Sequence, residues 1–210
     1  MPATTQSISQ PKLLIGEGAE EVRFFNAMLN HLKLGDIRVE EYGGKRKLSR
    51  YLQELLVRPS YRDVISIGIT RDADADASSA FQSVCGVLTN IGLAAPAATE
   101  VFVGDHPKVG IFILPDGRNA GMLEDLCLAA IRSYPDMQCV DEYFKCIHEK
   151  ANRQPNNLAK ARVHAWLASQ VEPDRRLGEA AEVGYWPWDS PIFDTLKQFL
   201  RALWLQQILI

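Results

Sequence analysis

The chain has 210 residues, 47% hydrophobic and 23% charged, with a formal net charge of −3 at pH 7. This is the composition of one ordinary globular domain, or one domain with an extension, large enough to fold without staples. Mild acidity argues against coating nucleic acid by bulk charge, and no apolar run approaches the ~18 residues of a membrane span.

The polar residues 1–10 read as a flexible N-terminus without the regions of a signal peptide, so a cytoplasmic protein with no membrane partner is expected. The apolar run Lys12–Ile15 ends at Gly16 and reads as a buried strand. A helix follows, with Val22, Phe25, Leu29 and Leu32 repeating at three and four. Ile37–Tyr42 alternates as a half-buried strand, Gly43 and Gly44 form a turn, and Leu48, Leu52 and Leu55 mark one face of a second helix. Val64–Ile69 and Val109–Leu114 are near-continuous apolar runs, the signature of strands buried on both faces of a parallel sheet. Between them lie a helix bearing Phe81, Val84, Leu88 and Ile91 and a short strand over Thr99–Val103. A loop at Pro115–Gly121 leads to a helix with Leu123, Leu126, Cys127 and Ala130 inward. Beyond about residue 135 only helices are expected, in three runs separated by Pro- and Gly-marked loops. The fold class is therefore α/β: a parallel sheet flanked by helices over 11–134, with right-handed crossovers, and a helical C-terminal extension over 135–210 packed on it.

Chemistry is concentrated in acids. Glu17 follows the first strand, and Asp72 and Asp74 follow the third. If the strands are parallel, these groups emerge at one carboxyl edge, where open α/β sheets place ligands. Glu21 returns to the same side of the first helical turn as Glu17, and Glu124 opens the helix after the Val109–Leu114 strand. Asp76 completes the run Asp72, Asp74, Asp76 and also suits a helix N-cap. The glutamates likewise suit helix starts, where negative charge is favoured by roughly 0.3–1 kcal/mol. Carboxylates without histidine or thiolate form a hard oxygen site for Mg²⁺ or Mn²⁺. A calcium loop is not supported, since Ala77 and Ser83 stand where its glycine and terminal glutamate belong. The cysteines Cys85, Cys127, Cys139 and Cys146 read as reduced thiols; Cys139, Cys146 and His148 lack zinc-knuckle spacing.

The text LLIGEGAEE (Leu13–Glu21) together with ISIGITRDADAD (Ile65–Asp76) resembles the Toprim domain, with its glutamate after one strand and D-x-D after a later one. The resemblance covers about residues 12–130. It implies a Rossmann-like parallel sheet and Mg²⁺-dependent chemistry on phosphodiesters. Glu17 with Glu21 is nearest in motif to the OLD-type nucleases, for which Glu124 and Lys160 would supply the downstream glutamate and late lysine. GMLEDLCLAAI and RLGEAAEVGYWPWD further resemble a small family of bacterial stand-alone Toprim-like proteins. Gly16 departs from the β-branched or small thiol residue common there, and with no G-x-x-x-x-G-K-[ST] motif in the sequence the ATPase half of OLD enzymes is not expected.

The resemblance implies Glu17, Asp72 and Asp74 as main metal ligands, Glu21, Asp76 and Glu124 as secondary ones, and Lys160 or Arg71 offsetting developing charge. Lys45, Arg46 and Lys47, at a basic helix start behind two glycines, are with Arg71 the candidate contacts to DNA or RNA. The bland reading of that turn is a solvated basic face. Trp186 and Trp188 read as loop anchors rather than base-stacking platforms, and His31, His106, His148 and His164 as structural or surface residues. The expected function is a metal-dependent nuclease, or a related phosphodiester-acting protein, in defence or nucleic-acid maintenance. The alternative is a non-catalytic Toprim-like module that binds a partner such as an ATPase or another defence-system protein. Either accommodates a homodimer.

Overall fold

A computed structural model of the protein describes residues 10–206. The flexible N-terminus expected over 1–10 therefore lies outside the described residues, except for Gln10, as do the last four residues of the expected extension. The elements in chain order are β1 (Lys12–Gly16), α1 (Ala19–Leu32), β2 (Ile37–Glu41), α2 (Leu48–Leu56), β3 (Ser66–Asp72), α3 (Ala77–Asn90), β4 (Phe102–Val103), β5 (Lys108–Leu114) and α4 (Leu123–Ile131). Four helices follow: α5 (Pro135–Ala151), α6 (Leu158–Ala168), α7 (Leu177–Glu182) and α8 (Asp194–Leu205).

The five strands form one mixed α/β sheet in the order β2-β1-β3-β5-β4. All neighbours are parallel except the two-residue edge strand β4, which runs antiparallel to β5. Alternation along the strands divides the core between two faces, because successive side chains of a strand point to opposite sides. Leu14, Phe112 and Leu114 pack with α1, α4, α6 and α8 on one face. Leu13, Ile15, Ile67, Ile69, Ile111 and Ile113 pack with α2 and α3 on the other. The chain leaving β1 thus turns to one face and the chain leaving adjacent β3 turns to the other. That divergence is a topological switch point, and it opens a crevice beyond the carboxyl ends of β1 and β3.

The C-terminal helices share a hydrophobic cluster with the sheet: Val163, Trp166, Leu196, Phe199 and Leu203 belong to the same buried group as Leu14 and Phe112. Burial of such side chains contributes roughly 1.5–3 kcal/mol each. Gly68 allows the approach of α8, since a Cβ there would sit 3.1 Å from Leu203 Cδ2 and 3.3 Å from the Phe199 ring. Trp186 is buried, stacks on Trp166 at 5.0 Å and donates its indole N–H to the Leu177 carbonyl at 3.0 Å. Trp188 meets Phe24 edge-on at 5.2 Å. Both tryptophans are loop anchors.

Helix α7 had no counterpart in the sequence reading. Its six residues are too few to show a period. Tertiary partners hold it instead: Gly178 N–H donates to Glu20 at 2.8 Å, and Arg23 pairs with Glu179 at 3.0 Å.

Candidate functional site: an acidic rim facing a basic wall

The crevice at the switch point is a cleft of about 540 Å³. Its lining includes Glu17, Glu21, Asp72 and Glu124 on the sheet side and Lys160, His164 and Arg176 from α6 and the approach to α7. Side chains separated by more than fifty residues therefore meet at one rim. Glu17 and Asp72 reach it because β1 and β3 are adjacent and parallel, with Ile15 paired to Ile69.

Asp72 is the last residue of β3, so the strand runs three residues further than the apolar pattern indicates. One oxygen, Oδ1, accepts the Leu123 N–H at the start of α4 at 3.1 Å. Burial, then repulsion from Glu124 and Glu17, pushes its carboxyl up to about 7 against that hydrogen bond. Glu17 is also raised, chiefly by burial, with the positive charges of Lys45 and Arg71 acting against the rise. Its Oε2 is buried and has no hydrogen-bond partner. A carboxylate oxygen in that state is costly unless something cationic or protic meets it.

Glu21 is held inward. Its Oε2 accepts the Glu17 N–H and the Thr70 hydroxyl, both at 3.0 Å. Full burial, then repulsion from Asp72, holds its carboxyl well above the usual range. The missing side chain of Gly16 makes this possible: a Cβ there would lie 2.9 Å from Glu21 Oε2. The glycine leaves room for the glutamate that braces the neighbouring Glu17.

Asp74 sits beside the cleft in a left-handed conformation, φ 53°, which Asp tolerates better than most residues. Reciprocal backbone hydrogen bonds to Gly121, each 2.8 Å, fasten it to the loop before α4. Its carboxylate pairs with Lys45. Asp76 has its carboxylate occupied as the N-cap of α3, accepting Ser78 N–H at 3.0 Å and Ser79 N–H at 3.3 Å. The structure does not bring Asp76 into the cleft lining.

Of the two sequence readings of the basic turn, a phosphate contact and a solvated basic face, the arrangement fits the second. The Gly43 and Gly44 N–H groups donate to the Glu17 carbonyl at 3.0 and 2.9 Å, so they brace the site rather than stand open to a phosphate. Arg46 and Lys47 are exposed outside the cleft lining. Arg71 donates to Ser83 at 2.9 Å and acts on Glu17 only through its field.

Among the described residues, no three Asp, Glu, His or Cys side chains gather into a cage for one ion, and this includes Cys139, Cys146 and His148. Mg²⁺ does not need a cage. It usually keeps several waters and takes one or two carboxylates plus substrate oxygens. An all-oxygen donor set with an orphaned, buried Glu17 oxygen fits that mode.

Sequence reasoning takes His164 as a structural or surface residue and passes over Arg176, and both line the cleft. Lys160 and His164 are four apart on a helix and so share a face, which was a usable signal. Arg176 precedes a helix that the sequence did not reveal.

The family model described as "Protein of unknown function (DUF3226)" matches residues 11–205. No curated protein matches the chain. Among solved structures, the C-terminal region of the Burkholderia pseudomallei OLD protein is similar at 15% identity and a TM-score of 0.50, over 93% of this chain and 100% of that one. The C-terminal region of the Xanthomonas campestris pv. campestris OLD protein is similar at 14% identity and a TM-score of 0.48, over 92% of this chain and 94% of that one. The Burkholderia likeness shows the fold. Among the described residues, no helix is long and apolar enough to cross a membrane.

Proposed function

The chain belongs to the DUF3226 family, and from that premise and its acidic rim we propose a Mg²⁺- or Mn²⁺-dependent protein of Toprim type that acts on phosphodiesters, as a nuclease or a close relative of one. The observation that carries the reading is the meeting of Glu17, Asp72 and Glu124 at one switch-point cleft, with none of the three in a salt bridge among the described residues and Asp72 pushed up to about 7. The shared fold with an OLD protein C-terminal region supports a nuclease-related ancestry.

A divalent ion in such a site supplies polarisation of a phosphoryl oxygen and a lowered pKa for bound water. Glu17 and Asp72 are the residues to hold it, with Asp74 and Glu124 completing the acidic field. Glu21 and Thr70 keep Glu17 in place, and the Leu123 N–H does the same for Asp72. One carboxylate of the rim would serve as the base toward a water in the cleft. Lys160, on the opposite wall, offsets charge that develops on a phosphoryl group.

The test is cleavage of single- and double-stranded DNA and RNA with Mg²⁺ and with Mn²⁺, comparing wild type with Asp72→Ala/Asp74→Ala. Loss of activity in the double variant, with folding retained, is the expected result. Unchanged activity removes these aspartates from the mechanism. No cleavage by wild type, with no ion bound by calorimetry, replaces the reading with a partner-binding module.

A further inference from the structure

The cleft is divided by charge. Glu17, Glu21, Asp72 and Glu124 line one side, and Lys160, His164 and Arg176 the other, where Glu20 also lies with its carboxylate taken up by the Gly178 N–H at 2.8 Å. The two sides do not neutralise each other. Among the described residues, neither Lys160, His164 nor Arg176 forms a salt bridge, although carboxylates line the same cavity. The cations that moderate Glu17 are Lys45 and Arg71, which stand outside that wall. The gap between the sides is therefore open to a ligand that presents positive charge to the rim and negative charge to the wall.

A phosphate chain with a divalent ion on one of its phosphoryl groups has that polarity. The wall is short, with two cations and one imidazole, and Val163 and Leu177 lie between them as apolar lining. A duplex presents one charge per ~1.7 Å and needs a long basic track. A cleft of about 540 Å³ instead suits one or two nucleotides, within the range of small-ligand sites. Resting on the phosphodiester reading above, we propose that the anion-binding side of this site is the α6–α7 wall, that His164 and Arg176 position the phosphates flanking the reacting one, and that the ligand is a single-stranded phosphodiester end of one or two nucleotides. On this assignment the exposed basic turn at Arg46 and Lys47 is not the contact surface.

The experiment measures binding of a fluorescent single-stranded tetranucleotide and a hairpin-capped duplex to the full chain with Ca²⁺ in place of Mg²⁺. Titration of Mn²⁺ alone accompanies each variant. His164→Ala and Arg176→Gln are each expected to weaken tetranucleotide binding about five- to tenfold and to leave Mn²⁺ affinity within twofold. Arg176→Gln should also flatten the dependence of log affinity on log salt by ~0.7, the value of one lost contact to a single strand. Arg46→Ala/Lys47→Ala should change binding less than twofold. The proposal is overturned if the Arg46/Lys47 variant loses more than the wall variants, if the capped duplex binds as tightly as the single strand, or if wild type binds neither. Should Mn²⁺ fail to bind while the tetranucleotide still depends on Arg176, the metal reading falls and the wall assignment stands. Should Mn²⁺ bind while the wall variants bind nucleotide normally, the reverse holds.

Discussion

Glu40 on β2 and Asp72 on β3 are two half-buried carboxylates of one sheet, treated in opposite ways. Glu40 is surrounded by positive or protic partners: Tyr51 and Arg58 donate to its Oε2 at 2.6 and 2.7 Å, and Arg38 forms an ion pair with its Oε1 at 2.7 Å. Those partners outweigh burial and hold its carboxyl below the usual range. Asp72 has one backbone N–H and otherwise faces Glu124, Glu17 and Asp74, and it rises to about 7. The contrast separates a carboxylate that the fold satisfies from one that the fold leaves open. A fold gains nothing from gathering like charges, so a cluster left uncompensated points to something outside the chain.

The largest expected effects divide along that line. Glu17→Ala should reduce metal-dependent cleavage by about 10²–10⁴-fold, the scale of removing one essential electrostatic group, while leaving Tm unchanged or raised. Glu40→Ala should leave cleavage nearly intact but destabilise the protein by roughly 2–3 kcal/mol, because Arg38 and Arg58 lose their shared partner. Denaturant midpoints measured alongside rates decide the matter. If Glu17→Ala destabilises as much as Glu40→Ala, the rim is structural.

The pH response should divide the same way. Asp72 holds its proton more tightly folded than unfolded, so the native state binds more protons between about pH 4 and 7. Stability of the metal-free protein from this group therefore falls as pH rises through that window. Glu40 has the opposite sign, contributing stability above its unfolded value and losing it as pH falls through the lower folded one. Melting curves in EDTA from pH 4 to 8 should show the descending limb in wild type, a shallower one in Asp72→Asn because Glu17 and Glu21 are raised as well, and its suppression by excess Mg²⁺. A slope that survives Asp72→Asn belongs to another group.

How far the sequence revealed this arrangement depends on the range of each interaction. The strands ending in Gly16, Asp72 and Leu114 were legible because runs such as Val64–Ile69 are local and nearly all apolar. Asp76 was also legible as the cap of α3, since a cap joins residues two and three apart, here Ser78 and Ser79. What was hidden involves distant partners. Gly16 reads as the end of a buried strand, yet its role is the space that Glu21 Oε2 fills. The basic turn reads either as a phosphate contact or as a solvated face, and what decides between them is distant: its Gly43 and Gly44 N–H groups are taken by the Glu17 carbonyl. The wall of His164 and Arg176 needed α7 in place, and Glu20 and Arg23 on α1 set that helix.

The brace under Glu17 gives an intermediate effect. Gly16→Val would place carbon against Glu21 Oε2, and the carboxylate would have to leave the Glu17 N–H and Thr70. A cost of about 1–3 kcal/mol is expected for the overpacked site, with Mn²⁺ affinity falling severalfold. Glu21→Gln keeps the size and an acceptor oxygen, so it should retain most of both. Should Glu21→Gln abolish Mn²⁺ binding while Gly16→Val does not, Glu21 is a ligand and not a brace.

The smallest effect concerns the cation already at the rim. Lys45 pairs with Asp74, both side chains about 40% exposed, so the pair contributes at most ~1 kcal/mol to folding. Its charge also lowers the proton affinity of Glu17. A divalent ion drawn to the same oxygens must displace Lys45 or share them with it. Lys45→Met removes that competitor and makes the rim one unit more negative. Mn²⁺ affinity should rise about two- to fivefold, with Tm in EDTA lowered slightly because Asp74 loses its ion-pair partner and Glu17 a nearby cation. A fall in Mn²⁺ affinity would mean instead that Lys45 holds Asp74 in its binding position, and the rim would then be preorganised by its ion pair rather than held shut by it.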